Sequence, residues 1–319
     1  MSEALDLAAL DDAGFARLYE ARIKPCFDAH EPERVAAVET FKRRLMIGAP
    51  IVLLLAAIVG FGFRLPEFAF FALIAGGFIV YGIAYSKLAQ VQAKVKEASC
   101  SAVAESIGVT FSSSLADPPA FARLRALQLL PGHDRAKFED WFRGEHRGSS
   151  FDLYEAHLEQ RHRDNKGRTR WTTVFRGQVV RLKFPREFLG VTVVLRDAGI
   201  FNIFGAMGGQ NWQRIGLEDP KFEKAFEVYG SDQVEARYLV HPVLMERLMA
   251  LEAAFKGKRL RCAFEKGDML IAVEGGNLFE PGDMFKPLAD PVRAKKLVDE
   301  IGKVMSVMDA VLTAQARRS

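Results

Sequence analysis

The stretch Leu45–Tyr85, LMIGAPIVLLLAAIVGFGF-RLPE-FAFFALIAGGFIVYGIAY, decides the architecture. Residues 45–63 and 68–85 carry no charge, and only Arg64, Leu65, Pro66 and Glu67 separate them. A helix rises about 1.5 Å per residue, so each run reaches roughly 27 Å, close to the thickness of a hydrocarbon core. Backbone polar groups in lipid must pair within the segment, which makes helices the natural solution. The stretch reads as a two-helix transmembrane hairpin, 45–63 and 68–85, reversed at Pro66. A cleaved leader is a poor alternative reading, because 44 residues with nine acids precede the first run. Lys42, Arg43 and Arg44 flank the entrance, Lys87, Lys94 and Lys96 flank the exit, and the connection holds only Arg64. Cations stay on the cytoplasmic side, so both termini are expected there, with the connection just reaching the far side of the inner membrane. Neither run holds an ionisable group, which argues against an ion or proton pathway. Ala56/Gly60 and Ala72/Gly76 are small pairs at helical spacing. They either seal the hairpin or support self-association.

Outward from the hairpin, residues 1–44 form an N-terminal cytosolic helical segment. Leu10, Leu18 and Ile23 are its apolar anchors, and Pro25 and Pro32 are expected to interrupt it. Residues 86–111 continue as a helical stalk with a seam of Leu88, Val91, Val95, Ala98 and Ala102. Ser112–Ser114 and Pro118–Pro119 read as a linker opening a soluble domain over 112–319, with a short helix near 120–129. Phe151–His162 alternates as a strand, Asp164–Gly167 turns, and Arg170–Phe184 returns. In the returning strand the apolar parity switches from Trp171, Thr173 and Phe175 to Val180, Leu182 and Phe184. One extra residue near Gly177 would put both sets on one face, which predicts a β-bulge there. Strands follow at 191–195, 214–218 and 226–229. Helices follow from Asp232, with Glu235 completing a capping box, and from Pro242. A hairpin occupies 260–264 and 269–273. The last helix starts at Asp290-Pro291 and presents a broad face of Leu297, Val298, Ile301, Val304, Met305, Met308, Val311 and Leu312. The fold class is α+β, with a mainly antiparallel sheet and a long C-terminal helix.

Charge narrows the function classes. Net charge is +4, made of −2 over residues 1–44, zero over 45–85 and +6 beyond. The cations are interspersed, so nucleic acid is not an expected partner. Cys26, Cys100 and Cys262 are far apart and make no metal spacing, and they read as reduced thiols.

Motifs for phosphate loops, nucleophile elbows and zinc helices are missing from the sequence. Gly205, Gly208 and Gly209 form a loose glycine loop. Glu155, His157 and Glu159 share one strand face and could make an acid–base or metal cluster, though a solvated face also explains them. His162 falls on the opposite face. Glu218, Asp219 and Asp232 sit at turns and helix starts. Met245, Met249, Met305 and Met308 fall at core spacing. No catalytic residue can be named from this, and no cofactor or metal is expected.

The blocks Leu217–Tyr229 (LEDPKFEKAFEVY) and Asp232–Leu239 (DQVEARYL), with Thr173–Gly177 and Leu130–Gly144, resemble the bacterial domain-of-unknown-function family 3137. The likeness runs over about residues 30–315, and departs at His241, where a hydroxyl residue is expected before Pro242. The resemblance implies two spans followed by a soluble domain, and membrane or envelope proteins as partners. It supplies no catalytic residues. The expectation is an inner-membrane-anchored protein with a cytosolic binding domain, the lipid bilayer being its first partner. The alternative is a membrane-tethered hydrolase with an unrecognised polar site.

Overall fold

Two long helices carry the apolar stretch, α2 (Lys24–Ala57) and α3 (Pro66–Ser106), preceded by the short α1 (Asp12–Leu18). The structure, a computed structural model, describes residues 11–106, 108–163, 167–185, 187–196, 212–254, 259–276 and 283–317. It divides into a helical unit, drawn from residues 15–102 and 280–294, and a sheet unit, drawn from 1–14, 103–279 and 295–319.

In the helical unit α2 runs through Pro32 and Pro50 without breaking. An internal proline removes one hydrogen bond, but burial of Phe27, Arg34, Ala37 and Val38 around Pro32 holds the helix together. Across the hairpin the small residues interlock with valines. A Cβ added at Gly48 would meet Val80 at 2.5 Å, one at Gly76 would meet Val52 at 2.8 Å, and one at Gly60 would meet Ala69 at 3.1 Å. Ala56 is buried in the same seam. The rest of the hairpin faces outward: Met46, Phe61, Phe63, Phe71 and Phe78 are each more than 60% exposed. Beyond Tyr85, α3 keeps its apolar seam, with Leu88, Val91 and Val95 buried.

The sheet unit holds nine strands among the described residues: β1 (Thr110–Ser114), β2 (Arg135–His146), β3 (Ser149–Arg163), β4 (Thr169–Lys183), β5 (Thr192–Arg196), β6 (Gln213–Ile215), β7 (Phe226–Gly230), β8 (Leu260–Glu265) and β9 (Asp268–Glu274). Their order is β1-β2-β3-β4-β9-β8-β5-β7-β6, with every pairing antiparallel. One lateral row crosses all nine: Phe111, Phe142, Leu153, Val180, Ile271, Cys262, Val194, Val228 and Ile215. All but Phe111 are buried, and Phe111 lays its ring 4.8 Å from Phe142. The opposite face buries Tyr154, Ala156, Leu158, Phe175, Val179, Leu270, Ala272, Ala263 and Val193 under α4 (Phe121–Ala126) and the segment Leu127–Leu130. The unit is completed by α5 (Pro220–Ala225), α6 (Gln233–Leu239), α7 (Pro242–Ala254) and α8 (Pro291–Arg317). Helix α8 buries the broad face expected of it, from Leu297 to Val311. His241 Nε2 lies 3.2 Å from Ala310 O and His146 Nε2 2.8 Å from Asp309 Oδ1, tying α8 to the start of α7 and the end of β2.

The α+β class, the antiparallel sheet and the C-terminal helix are as expected. The bulge is not where the parity switch placed it. Pairing is unbroken through Gly177, from Leu153↔Val180 to Leu158↔Phe175, and the extra residue is Val174. Phe175 and Val180 are both buried because the sheet is covered on both faces, so a buried strand is apolar at both parities. Gly177 answers a different need: a Cβ there would overlap Val273 O and crowd Glu274 Cα at 2.9 Å. The serines read as a linker form edge strand β1, β2 went unforeseen, and the connection Pro220–Ala225 is a helix. Asp232 caps α6, accepting from the Val234 and Glu235 amides at 2.9 Å. Glu235 accepts from the Leu189 and Gly190 amides, both at 2.7 Å. Gly205, Gly208, Gly209 and the turn Asp164–Lys166 lie outside the described residues.

Candidate functional site

The polar face of β3 does not converge on a point. Glu155 is buried between Glu139 and Gln178 in register. His157 Nε2 lies 2.9 Å from Thr173 Oγ1. Glu159 accepts from Arg135 Nε at 2.7 Å. His157 and Glu159 are each held by a different neighbour, so their bonds stabilise cross-strand pairing. His162 is exposed on the other face. Among the described residues no three His, Cys, Asp or Glu side chains are grouped as a metal site would require. Asp219 caps α5, accepting from the Lys221 and Phe222 amides at 2.8 and 3.1 Å, while Glu218 is exposed. Met245, Met305 and Met308 are core residues, and Met249 is half-buried.

A charged network escaped the sequence reading because its members are scattered along the chain. Arg123 of α4 donates from Nε to Glu265 Oε2 at 2.9 Å, from Nη2 to Glu265 O at 2.8 Å, and from Nη1 to Asp268 Oδ2. Asp268 also accepts from Arg181 Nε at 3.2 Å. Arg181 reaches Asp152 at 3.4 Å, and Asp152 accepts from Trp141 Nε1 at 3.1 Å. A second arginine, Arg261 of β8, donates to Leu129 O at 3.0 Å and to Glu274 at 2.8 Å. Tyr154 Oη donates to Pro119 O at 3.0 Å. Together these bonds strap α4 and its flanks onto the sheet. Every carboxylate faces a guanidinium, which suits a clamp rather than a proton-transfer site. Burial pushes the Tyr154 phenol and the Cys262 thiol well above their ordinary ranges, so neither is an activated nucleophile.

The exposed feature of the sheet unit is the outer part of the β3–β4 ribbon. Pairing of β2 with β3 ends at Arg135↔Glu159, and pairing of β9 with β4 ends at Gly177↔Glu274. Among the described residues, 160–163 and 169–172 therefore have strand partners only in each other, and the Arg161 amide donates to Asp134 Oδ2 at 2.7 Å. The ribbon displays Arg161, Arg163, Arg168 and Arg170 with His162, all exposed. Trp171, 38% exposed, lies under the Arg135 guanidinium at 4.5 Å. The charges that look interspersed along the chain are gathered here by the folding of one hairpin. Such a surface can bind an acidic partner through guanidinium–carboxylate pairs, with an aromatic platform beside them.

In the helical unit the outward apolar surface of the hairpin is the second candidate. Two helices, Asp12–Gly62 and Pro66–Ser106, are long and apolar enough to cross a membrane, and only 6% of the apolar window of each is buried.

Comparison with known proteins adds a family. Residues 173–312 match the family described as "Protein of unknown function (DUF3137)". The match begins within β4 and ends in α8, leaving β1–β3 outside it. No curated protein matches the chain. The crystal structure of the mycobacterial trehalose monomycolate transport factor A is similar at 13% identity, over 65% of this chain and 93% of that one, with a TM-score of 0.34. A likeness that loose carries neither fold nor function across.

Proposed function

We propose that this chain, a member of the DUF3137 family over residues 173–312, is an inner-membrane protein. In this reading the hairpin anchors a cytoplasmic binding domain, and the arginine ribbon takes an acidic face of a membrane or envelope protein. The observation that carries the anchoring is the 6% burial of each apolar window. The core helix of a soluble protein would bury most of such a window, whereas a span turns it toward lipid. Six flanking cations against Arg64 alone support the reading with both termini in the cytoplasm. Ala56, Gly60, Ala72 and Gly76 act in closing the hairpin, and self-association through them would require the seam to open. A phosphatase that works only outside the cytoplasm, fused after Ser319, is expected to be inactive, and the same enzyme inserted after Leu65 active. The reverse pattern would overturn the orientation, and inactivity at both places would overturn the span.

A further inference from the structure

The segment Asp283–Leu288 of the helical unit is built as a display turn. Arg34, 7% exposed and gripped by Glu31 through two bonds of 3.0 and 2.7 Å, donates to Met284 O at 2.7 Å. Glu31 Oε2 accepts from the Leu288 amide at 3.1 Å. The Met284 and Leu288 side chains are buried, and Asp283 closes the turn by accepting from the Phe285 amide at 2.9 Å. With both ends pinned, Phe285 and Lys286 are left at the tip, and Phe285 is 50% exposed.

What surrounds the tip is specific. Phe285 lies 5.5 Å from Phe41, and Phe41 lies 5.9 Å from Tyr81 and 6.5 Å from Tyr85. Phe41 stands four residues before the first apolar run, and Tyr85 closes the second. Lys42, Arg43, Lys87 and Lys286, all exposed, each lie within two residues of one of these rings in sequence, while Arg44 donates to Ile83 O at 2.7 Å. The acids nearest these residues in sequence are Glu39, Asp283 and Asp290, with Glu31 and Glu33 two to three turns before Phe41, where Glu31 is engaged by Arg34 and Glu33 faces Lys94. Aromatic rings flanked by cations, continuous with exposed apolar helices, match the chemistry of the membrane–water interface.

We propose that the turn Asp283–Leu288 is a third membrane contact, with Phe285 in the headgroup layer and Lys286 and the neighbouring cations on acidic phospholipid headgroups. The proposal rests on reading the hairpin as membrane-spanning. It makes the collar a lipid-binding site assembled from two parts of the chain about 200 residues apart in sequence.

The test uses the full chain with Cys26→Ser, since Cys100 and Cys262 are buried, and a fluorophore on Phe285→Cys or, as the depth control, on Leu54→Cys. The protein is reconstituted in phosphatidylcholine vesicles carrying the same mole fraction of either brominated phosphatidylglycerol or brominated phosphatidylcholine. The label at 285 should be quenched, more by the acidic lipid than by the zwitterionic one, and Lys286→Gln should narrow that preference by up to about fivefold. Equal quenching by the two lipids overturns the acidic-headgroup assignment. No quenching at 285 with strong quenching at 54 overturns the third contact and leaves the hairpin in place. No quenching at 54 overturns the span itself.

Discussion

Gly177 shows how a residue can be read correctly as special and wrongly as to why. Its neighbourhood carries a parity switch, and a bulge is the economical account of one. Burial of both sheet faces produces the same pattern, and periodicity alone cannot separate the two. β2 holds the converse case. Ala136, Phe138, Phe142 and Gly144 keep one parity throughout, yet Phe138 pairs with Ala156 on one face and Phe142 with Leu153 on the other. The shift lies at Asp140 and Trp141, where Asp140 has a φ of +54°. Gly177 is glycine because the backbone of its pairing partner at the end of β9, Val273–Gly275, comes too close for a Cβ. Gly177→Ala should therefore destabilise the sheet unit by about 1–3 kcal/mol or more, as overpacking does. Arg176→Ala, at an exposed neighbour, should stay within about 0.5 kcal/mol. Denaturant melts of the detergent-solubilised chain would check both, and equal effects would remove the close-approach account.

Glu31 offers a second prediction at this scale. The Arg34 guanidinium holds its carboxyl below the ordinary 4.5, helped by the Leu288 amide and opposed by burial. A depressed carboxylate stabilises the folded state above its unfolded value, and that stability is lost as pH falls through the folded one. The turn Asp283–Leu288 should thus hold at neutral pH and loosen as pH drops below about 4.5. Hydrogen exchange at Leu288, corrected for its intrinsic pH dependence, should accelerate in that range, and Glu31→Gln should be loose already at pH 7. Exchange as slow at pH 3.5 as at pH 7 would show that the latch does not depend on the charge of Glu31.

Among elements, the hairpin was the most legible and its seam only half so. Helical spacing picked out Gly60 and Gly76, but the identity of each partner depends on where the reversal falls, which no spacing rule gives. The structure pairs Gly76 with Val52 and Gly48 with Val80, a small residue opposite a branched one in alternation. Gly76→Ile should push the helices apart at a cost of about 1–3 kcal/mol, and Val52→Ala in the same chain should recover much of it. Thermal melts of the single and double variants would test the pairing, and additive losses would mean that the two residues do not meet. Strands β1 and β2 stayed hidden for physical reasons: β1 is polar because it is a solvent-facing edge, and β2 changes face midway. The Arg123 clamp was illegible, because nothing local links residue 123 to residues 265 and 268.

For the whole molecule, composition by segment and the apolar stretch gave the class and the order of parts. The strand order could not be read, because β4 pairs with β9 across about 90 residues of sequence and long-range pairing leaves no local trace. The membrane reading has a direct consequence here. Leu54, 63% exposed in the middle of the first run, should tolerate any apolar residue, while Leu54→Arg should impair insertion by roughly 2.5–3.5 kcal/mol. Membrane fractions extracted with alkaline carbonate would show the loss, and a variant retained as fully as the parent would place Leu54 away from lipid.

The unpaired ribbon carries a hazard as well as an opportunity. Past the Asp134 bond to the Arg161 amide and the Gly275 bond to Arg176 O, both of its rims run on without a neighbouring strand among the described residues. Such rims recruit any extended chain, including a second copy of the same protein, and grow into ordered aggregates. Four arginines on the ribbon make two copies repel before their rims can meet, and salt weakens that repulsion over a Debye length of about 8 Å at physiological strength. The same guanidinium groups that would greet an acidic partner therefore keep the chain from condensing on itself. A cell that crowds many copies into one membrane would rely on that repulsion for as long as the ribbon stays unoccupied.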